Sequence, residues 1–144
     1  MEKNKITIHT DGGARGNPGP AAIGVMIEGP TGKKEYGEYI GEATNNEAEY
    51  KAVIFALKKL KHLIGSVESK TSDVKIIIDS ELIERQLNGE YKIKGKNLQN
   101  YFVEVWNLKS DFGSVSFGHV RREENTDADR IVNQVLDRET NKLL

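Results

Sequence analysis

The pattern of apolar and polar positions divides the N-terminal third of the chain into three short strands. Apolar residues dominate Lys5–Thr10 and Ala21–Glu28, and Lys33–Ile40 alternates more loosely. The sequence GPTG at Gly29–Gly32 is a strong turn signal between the second and third strands. We therefore predict that the chain opens with three antiparallel strands.

The remainder of the chain alternates helical and strand patterns. The predicted helices are Thr44–Leu63, Ser80–Leu87, Lys96–Leu108 and Asn125–Thr140, the predicted strands are Val74–Asp79 and Val115–Arg121, and Gly65–Ser72 is a polar connector. Because a helix separates the third strand from the fourth, the fourth is expected to lie parallel to one of the opening strands. The prediction is an α/β fold, a mixed sheet with helices on both faces, in a single domain over residues 1–144.

Composition narrows the class of protein. The 144 residues suit one domain, and 37% hydrophobic with 30% charged residues is typical of a soluble globular chain. No apolar run approaches a membrane span, and cysteine is absent, so disulfides and thiolate metal sites are excluded. The first five residues lead straight into a strand, which leaves no room for a signal peptide, and a cytoplasmic location is expected.

With a net charge of −1, the chain lacks the excess of basic residues found in many nucleic-acid-binding proteins. Lys92, Lys94 and Lys96 nevertheless form a local basic cluster.

One glutamate breaks the pattern of the first long helix. Glu49 falls in the middle of the apolar stripe, whereas Glu47 points to the opposite side with Lys51, where a solvated ion pair explains it. The stripe comprises Ala52, Val53, Ala56, Leu57 and Leu60. A carboxylate on the core-facing side is costly unless it has a partner. The alternative is that Glu49 caps the helix start.

Two aspartates repeat this anomaly. Asp11 and Asp79 each follow an apolar strand and precede a predicted break. If the two strands are parallel neighbours, roughly 5 Å apart, the carboxylates lie close together and need a cation. With Glu49, they would form an oxygen site suited to Mg²⁺ or Mn²⁺. Asp127 and Asp129 both flank the stripe of the last helix; periodicity does not separate them, and a helix-dipole interaction explains either.

Such a cluster of acids on one or two divalent ions favours phosphoryl-transfer chemistry. Two metal ions can activate a water and stabilise the leaving oxygen of an in-line displacement, so no nucleophilic side chain is needed. The glycine-rich loop after Asp11 lacks the lysine and hydroxyl residue of a P-loop. A small-molecule enzyme built on that loop is therefore disfavoured.

Four motifs, in order, resemble those of the ribonuclease H type 1 family, over about Ile6–Leu136. They are TDGGARGNPGPAAIG (Thr10–Gly24), TNNEAEY (Thr44–Tyr50), IDSE (Ile78–Glu81) and NTDADRIV (Asn125–Val132). One motif alone would be weak, but four with compatible spacing are specific. The resemblance implies the ribonuclease H-like fold with sheet order 3-2-1-4-5.

The resemblance also implies an activity and a set of site residues. The family cleaves the RNA strand of RNA/DNA hybrids to 5′-phosphate and 3′-hydroxyl ends. It implies that Asp11, Glu49, Asp79 and Asp129, the last chosen over Asp127, hold two Mg²⁺ ions, which Mn²⁺ can replace. The implied nucleic-acid-binding residues are Gly12, Gly13, Asn17, Asn45, Asn46, Ser80, Lys92, Lys94 and Arg121. Asn17, Asn45 and Asn46 would reach 2′-hydroxyls, which distinguish RNA from DNA. The partner is the hybrid duplex, with no membrane or protein partner and a monomer expected.

The chain departs from the family pattern at three places. The loop Arg121–Asn125 is short and lacks the histidine of many bacterial members, and His119, inside the predicted strand, is a poor substitute. Its role would pass to Arg121, Arg122, Glu123 or water. The long basic protrusion is reduced to Gly89–Lys96, a simple solvated turn or a contact for DNA phosphates. Glu81 replaces the usual glutamine.

Two rival functions share the fold. One is a module that binds a hybrid without cutting it, which the presence of all four acids disfavours. The other is a nuclease that acts on a different duplex, such as RNA/RNA or a DNA junction.

Overall fold

The computed structural model describes residues 4–142, and its elements follow the predicted order of strands and helices. The strands are β1 (Asn4–Ala14), β2 (Gly19–Gly29), β3 (Gly32–Ala43), β4 (Ser72–Ile78) and β5 (Ser114–His119). The helices are α1 (Asn45–Lys70), α2 (Glu81–Leu87), α3 (Lys96–Lys109) and α4 (Thr126–Lys142), with a 3₁₀ turn at Arg122–Glu124.

The five strands form one mixed sheet in the order β3-β2-β1-β4-β5. β1, β2 and β3 pair antiparallel, while β4 lies parallel to β1 and β5 parallel to β4. Helix α1 is the crossover that connects β3 to β4 and permits the parallel pairing. The predicted topology is confirmed.

Helices α1 and α4 lie on opposite faces of the sheet, and two glycines permit their close approach. Asp11 of β1 pairs with Gly24 of β2, so Gly12 and Gly24 are one residue out of register and face opposite sides. A Cβ on Gly12 would overlap the α1 backbone at Ala48, and a Cβ on Gly24 would overlap the α4 backbone at Ala128. The predicted placement of helices on both faces is confirmed.

The main hydrophobic core lies between the sheet and α1. Its fully buried side chains come from the central strands and this helix and include Ile8, Val25, Val53, Leu57 and Ile76. A smaller cluster on the other face joins β2 to α4 through Ala22, Val132, Val135 and Leu136. The helices thus cover the two faces but not the end of the sheet at which the β1–β4 pairing stops.

Every predicted strand differs from the observed strand by one or more residues at its ends, and two of these differences lie near the acids. β1 continues to Ala14 instead of ending at Thr10, because its last residues pair with β2 after the pairing with β4 has stopped. Asp11 therefore lies within a strand. β5 ends at His119 rather than Arg121, because the chain then enters the 3₁₀ turn.

Helix α1 extends beyond its predicted end into the segment read as a connector. Gly65 interrupts the helix with φ of 82°, a conformation that glycine adopts without steric cost. The helix then resumes to Lys70, and the hydroxyls of Ser69 and Ser72 donate to the carbonyls of Gly65 and Glu68, each at 2.7 Å. The polar composition suggested a loop, but these hydroxyls bond to helix carbonyls instead.

Some predictions extend past the described residues. The single domain over residues 1–144 and the absence of a signal peptide in Met1–Lys5 both involve residues 1–3, which lie outside the described part. Both stay predictions. Within residues 4–142, no helix has the length and apolarity needed to cross a membrane.

The close contact of β1 with α1 predicts a difference between two adjacent glycines. Gly12→Ala should lower the free energy of unfolding by about 1–3 kcal/mol, because the new Cβ overlaps backbone atoms of Ala48. In Gly13→Ala the Cβ would lie 3.6 Å from Val132 Cγ1, an ordinary contact, so the change should stay within about 1 kcal/mol. Urea denaturation in EDTA measures both, and equal losses would contradict the packing argument.

Candidate active site

The parallel pairing of the central strands brings two aspartates together. β1 and β4 pair up to Thr10 and Ile78, and Asp11 and Asp79 directly follow these two residues in the sequence. Carboxylate oxygens of Asp11, Asp79 and Glu49 all lie within 4.8 Å of one another. The structure therefore brings three of the four predicted acids into one cluster.

Glu49 reaches this cluster from the first turns of α1. Thr44 is the N-cap: its Oγ1 accepts a hydrogen bond from Glu47 N at 3.1 Å, and Glu47 Oε1 accepts one from Thr44 N at 3.0 Å. Because Glu47 completes this capping box, the capping alternative for Glu49 is excluded. Glu49 is only 7% exposed, and the contact of Gly12 with Ala48 brings its helix next to Asp11.

Burial and mutual repulsion make Asp11 and Glu49 reluctant to ionise together. Burial, followed by the charge of Asp79, raises the pKa of Asp11 to about 7, while hydrogen bonding to Glu49 and to the backbone of Gly12 opposes the rise. Burial, with the charge of Asp11, also raises the pKa of Glu49 well above its ordinary value. Without a cation, Glu49 is therefore the natural holder of a proton shared with Asp11.

Asp79 is less buried and has polar neighbours. Burial raises its pKa, while a hydrogen bond from Asn125 and the nearby charges of Arg122 and His119 oppose the rise. The Asn125 Nδ2 donates to Asp79 Oδ2 at 3.1 Å. His119 is exposed at the end of β5, where its Nε2 lies 3.2 Å from the backbone oxygen of Asp79.

The donor set fits a hard divalent cation. Glu49 Oε2 is buried without a hydrogen-bond partner, and within residues 4–142 no lysine or arginine forms a salt bridge with Asp11, Glu49 or Asp79. Carboxylate oxygens are the ligands that Mg²⁺ and Mn²⁺ prefer. A divalent ion would supply a positive charge in direct contact with these three acids.

The structure separates the two aspartates of the last helix. Asp129 lines the same cleft as the three clustered acids, and its charge contributes to the raised pKa of both Asp11 and Asp79. Asp127 instead accepts a hydrogen bond from Arg130, which also pairs with Glu35 of β3. Asp129 thus faces the cluster, although it lies outside the set of oxygens within 4.8 Å.

The acids line an open cleft of about 490 Å³. Besides the four carboxylates, its walls include Gly12, Gly13, Asn45, Ser80 and Arg122. Gly12 is buried against α1, so its lack of a side chain is required by helix packing. The implied contact of Gly12 with nucleic acid stays a prediction.

Asn17 and Asn45 tie the glycine-rich loop to α1. Asn17 Oδ1 accepts from Asn45 N, and Asn45 Oδ1 accepts from Ala14 N, both at 2.9 Å. Both residues are exposed, and within residues 4–142 their Nδ2 groups make no hydrogen bond. The Nδ2 groups of Asn17 and Asn45 are therefore the donors that remain available for the predicted contacts with nucleic acid.

Three other predicted nucleic-acid contacts lie outside the cleft with the acids. Asn46, Lys92 and Lys94 line a second hollow, between the start of α1 and the turn that joins α2 to α3. Gln86 fixes this turn: its Nε2 donates to Lys92 O at 3.3 Å, and its Oε1 accepts from Tyr50 Oη at 2.8 Å.

The two remaining predicted contacts flank the acids. Ser80 caps α2, since its Oγ accepts from Ile83 N at 3.3 Å. Arg121 precedes the 3₁₀ turn and does not line the cleft, whereas Arg122 does.

The structure shows partners for two residues for which the sequence pattern predicted none. Arg15 pairs with Asp137 of α4 at 2.6 Å, so it fastens the loop to that helix. Asn125, the first residue of the fourth motif, is buried against Asp79. Its position four residues before Asp129 could have indicated a role at the site, but an asparagine before a helix ordinarily indicates only a cap.

Comparisons with known proteins relate this chain to one family. The family model described as Reverse transcriptase-like matches residues 9–135. Ribonuclease HI of Halobacterium salinarum is 38% identical over 135 residues, which cover 92% of this chain and 65% of that protein. Bifunctional protein Rv2228c of Mycobacterium tuberculosis is 35% identical over 136 residues, covering 92% of this chain and 36% of its own length. The chain thus spans about one third to two thirds of these curated relatives.

A solved structure matches over almost its whole length. LC11-RNase H1, isolated from compost by a metagenomic approach, has been crystallised in complex with an RNA/DNA hybrid. That structure aligns with a TM-score of 0.87 and 43% identity, covering 94% of this chain and 99% of that one.

The raised pKa of Asp11 predicts how stability depends on pH. The pKa of Asp11 is raised to about 7 in the folded state, whereas the pKa of an unfolded aspartate is near 4. The contribution of Asp11 to the free energy of unfolding is therefore fully present below pH 4 and is lost as the pH rises through 7. In EDTA, the unfolding free energy of Asp11→Asn minus that of the wild type should therefore increase by about 1–4 kcal/mol when the pH is raised from 4.5 to 8.

Urea denaturation at both pH values measures this gain. The control is Asp127→Asn, whose carboxylate is about half exposed, pairs with Arg130 and lies outside the acidic cluster, so this variant should not reproduce the gain. A gain of equal size in both variants would refute the repulsion argument.

Proposed function

The chain belongs to the ribonuclease HI family, and from that premise we propose that it cleaves the RNA strand of RNA/DNA hybrids in a divalent-metal-dependent reaction. The observation that carries the proposal is the cluster of Asp11, Glu49 and Asp79, with Asp129 in the same cleft. A module that only bound a hybrid would gain nothing from this cluster, because buried like charges cost stability.

The four acids would hold two Mg²⁺ ions, with Mn²⁺ as a substitute. The metal ions would supply an activated water and stabilisation of the leaving oxygen, leaving 5′-phosphate and 3′-hydroxyl ends. The protein's part is to hold the four carboxylates in a fixed arrangement and to keep Glu49 buried. The buried, unpaired Glu49 Oε2 supports this assignment.

The substrate would lie across the cleft and along the start of α1. Asn45 lines the cleft and Asn46 the adjacent hollow, so amide donors along the first turn of α1 can reach 2′-hydroxyl groups. Lys92 and Lys94 line the same hollow as Asn46, where they would contact phosphates of the DNA strand. These contacts would orient the RNA strand toward the acids.

Arg122 is the candidate that we favour to take over from the absent loop histidine. Of Arg121, Arg122 and Glu123, it is the one that lines the cleft, and its charge acts on Asp79. A guanidinium there would bind a phosphate oxygen and does not transfer protons at neutral pH. Protonation of the leaving group would then fall to water. The expected monomeric state and cytoplasmic location stay predictions.

Cleavage should depend on a divalent ion and on one of the two glutamates near the start of α1. Glu49→Gln is expected to lose more than about 100-fold in kcat, because it removes a buried ligand. Glu47→Gln should retain activity, because glutamine also completes a capping box. Cleavage of an end-labelled hybrid in Mg²⁺ and in EDTA measures both. Equal losses, or full activity in EDTA, would contradict the site assignment.

The proposed substrate class predicts discrimination among duplexes of the same sequence. RNA/DNA should be cut in its RNA strand, while RNA/RNA, DNA/DNA and a four-way DNA junction should be cut at least about tenfold more slowly, because both 2′-hydroxyl contacts and DNA phosphate contacts are needed. Initial rates at matched concentrations decide this. Preference for another duplex would point to a different nuclease, and binding without cleavage in Mg²⁺ or Mn²⁺ would point to a binding module.

A further inference from the structure

Asn125 joins two parts of the candidate active site with a single amide group. Its Nδ2 donates to the backbone oxygen of Thr10 at 2.9 Å and to Asp79 Oδ2 at 3.1 Å. The residue is 1% exposed. Thr10 immediately precedes Asp11, so the amide lies between the two strands that carry the central aspartates.

The orientation of this amide shows that it is not a helix cap. Both partners of Nδ2 are acceptors, which requires the NH₂ group to point at them. An asparagine that caps a helix would use Oδ1 to accept from a backbone N–H of the first turn. Here Asn125 Oδ1 is buried and has no hydrogen-bond partner. The side chain thus leaves its acceptor unsatisfied while both amide hydrogens serve the site.

The same residue also fixes the position of the last helix. The backbone oxygen of Asn125 accepts from Asp129 N at 3.2 Å, in the first turn of α4. Asn125 therefore contacts the segments that carry three of the four acids: β1 through Thr10, the end of β4 through Asp79, and α4 through Asp129. The backbone hydrogen bonds between the strands connect β1 with β4 but do not connect either strand with α4.

We propose that Asn125 is a positioning residue that holds the Asp79 carboxylate and the start of α4 in the arrangement needed to bind divalent metal. This inference rests on the proposed function. A hydrogen bond to one carboxylate oxygen restrains rotation of the Asp79 side chain, which would otherwise turn away from Asp11 and Glu49 to reduce repulsion. Partners of this kind commonly change metal affinity or activity by about 10- to 100-fold when removed.

Two substitutions separate positioning from general support of the fold. Asn125→Leu keeps the volume without a donor, and Asn125→Ala leaves a cavity. The matched control is Gln86→Leu, which removes another buried side-chain amide whose two hydrogen bonds go to Tyr50 and Lys92 and not to the acids. For each protein, Mn²⁺ affinity is measured by calorimetry without nucleic acid, Tm in EDTA by circular dichroism, and kcat and KM on a labelled hybrid.

Both Asn125 variants should bind Mn²⁺ about 10- to 100-fold more weakly than the wild type, by a similar factor, even though their Tm values differ. Their kcat should fall while KM for the hybrid stays within about twofold. Gln86→Leu should lower Tm yet leave the Mn²⁺ affinity unchanged. Wild-type Mn²⁺ affinity in either folded Asn125 variant, a loss of affinity that simply follows Tm across all three variants, or failure of both Asn125 variants to fold would each overturn the inference.

The calorimetric result also separates this inference from the proposed function. If the wild type binds Mn²⁺ but cuts no hybrid, the proposed function fails, and the Mn²⁺ affinities of the Asn125 variants still decide the positioning role. If the wild type cuts the hybrid and Asn125→Leu matches it in Mn²⁺ affinity, only the positioning role fails.

Discussion

Repulsion among buried carboxylates is the constraint on which the rest of this structure depends. Asp11, Glu49 and Asp79 bring their oxygens within 4.8 Å of one another at a largely buried site, where like charges interact strongly. Each carboxylate would move outward if its backbone allowed it. The fold prevents this by carrying the three groups on elements that cannot separate without breaking the sheet or the core.

Two close backbone contacts contribute to that resistance. Gly12 lets α1 approach β1 on one face, and Gly24 lets α4 approach β2 on the other. Because a side chain at either glycine would overlap a helix backbone, the positions of Glu49 and Asp129 relative to Asp11 are set by packing. The arrangement is therefore preformed for the divalent cation that we propose, at some cost to the stability of the metal-free protein.

Much of the fold and of the acidic cluster could be predicted from sequence pattern. Glu49 was identifiable because it interrupts an apolar stripe, and Asp79 because it follows a buried strand; both signals are local. The continuation of β1 past Asp11 was missed because residues 11–14 are held by β2 alone. The extension of α1 was missed because the hydroxyls of Ser69, within the helix, and Ser72, just after it, bond to carbonyls of α1.

The sequence by itself determined the order of the elements and the acids that break the local pattern, because periodicity and chain connectivity are written along the chain, and its family motifs implied the sheet order. Periodicity left Asp127 and Asp129 undecided and the family motif implied Asp129, which the tertiary structure places in the cleft. Only the tertiary structure gave Gly12 its packing role and placed the amide of Asn125 against Asp79. Those facts depend on distances between segments far apart in sequence, which no local pattern encodes.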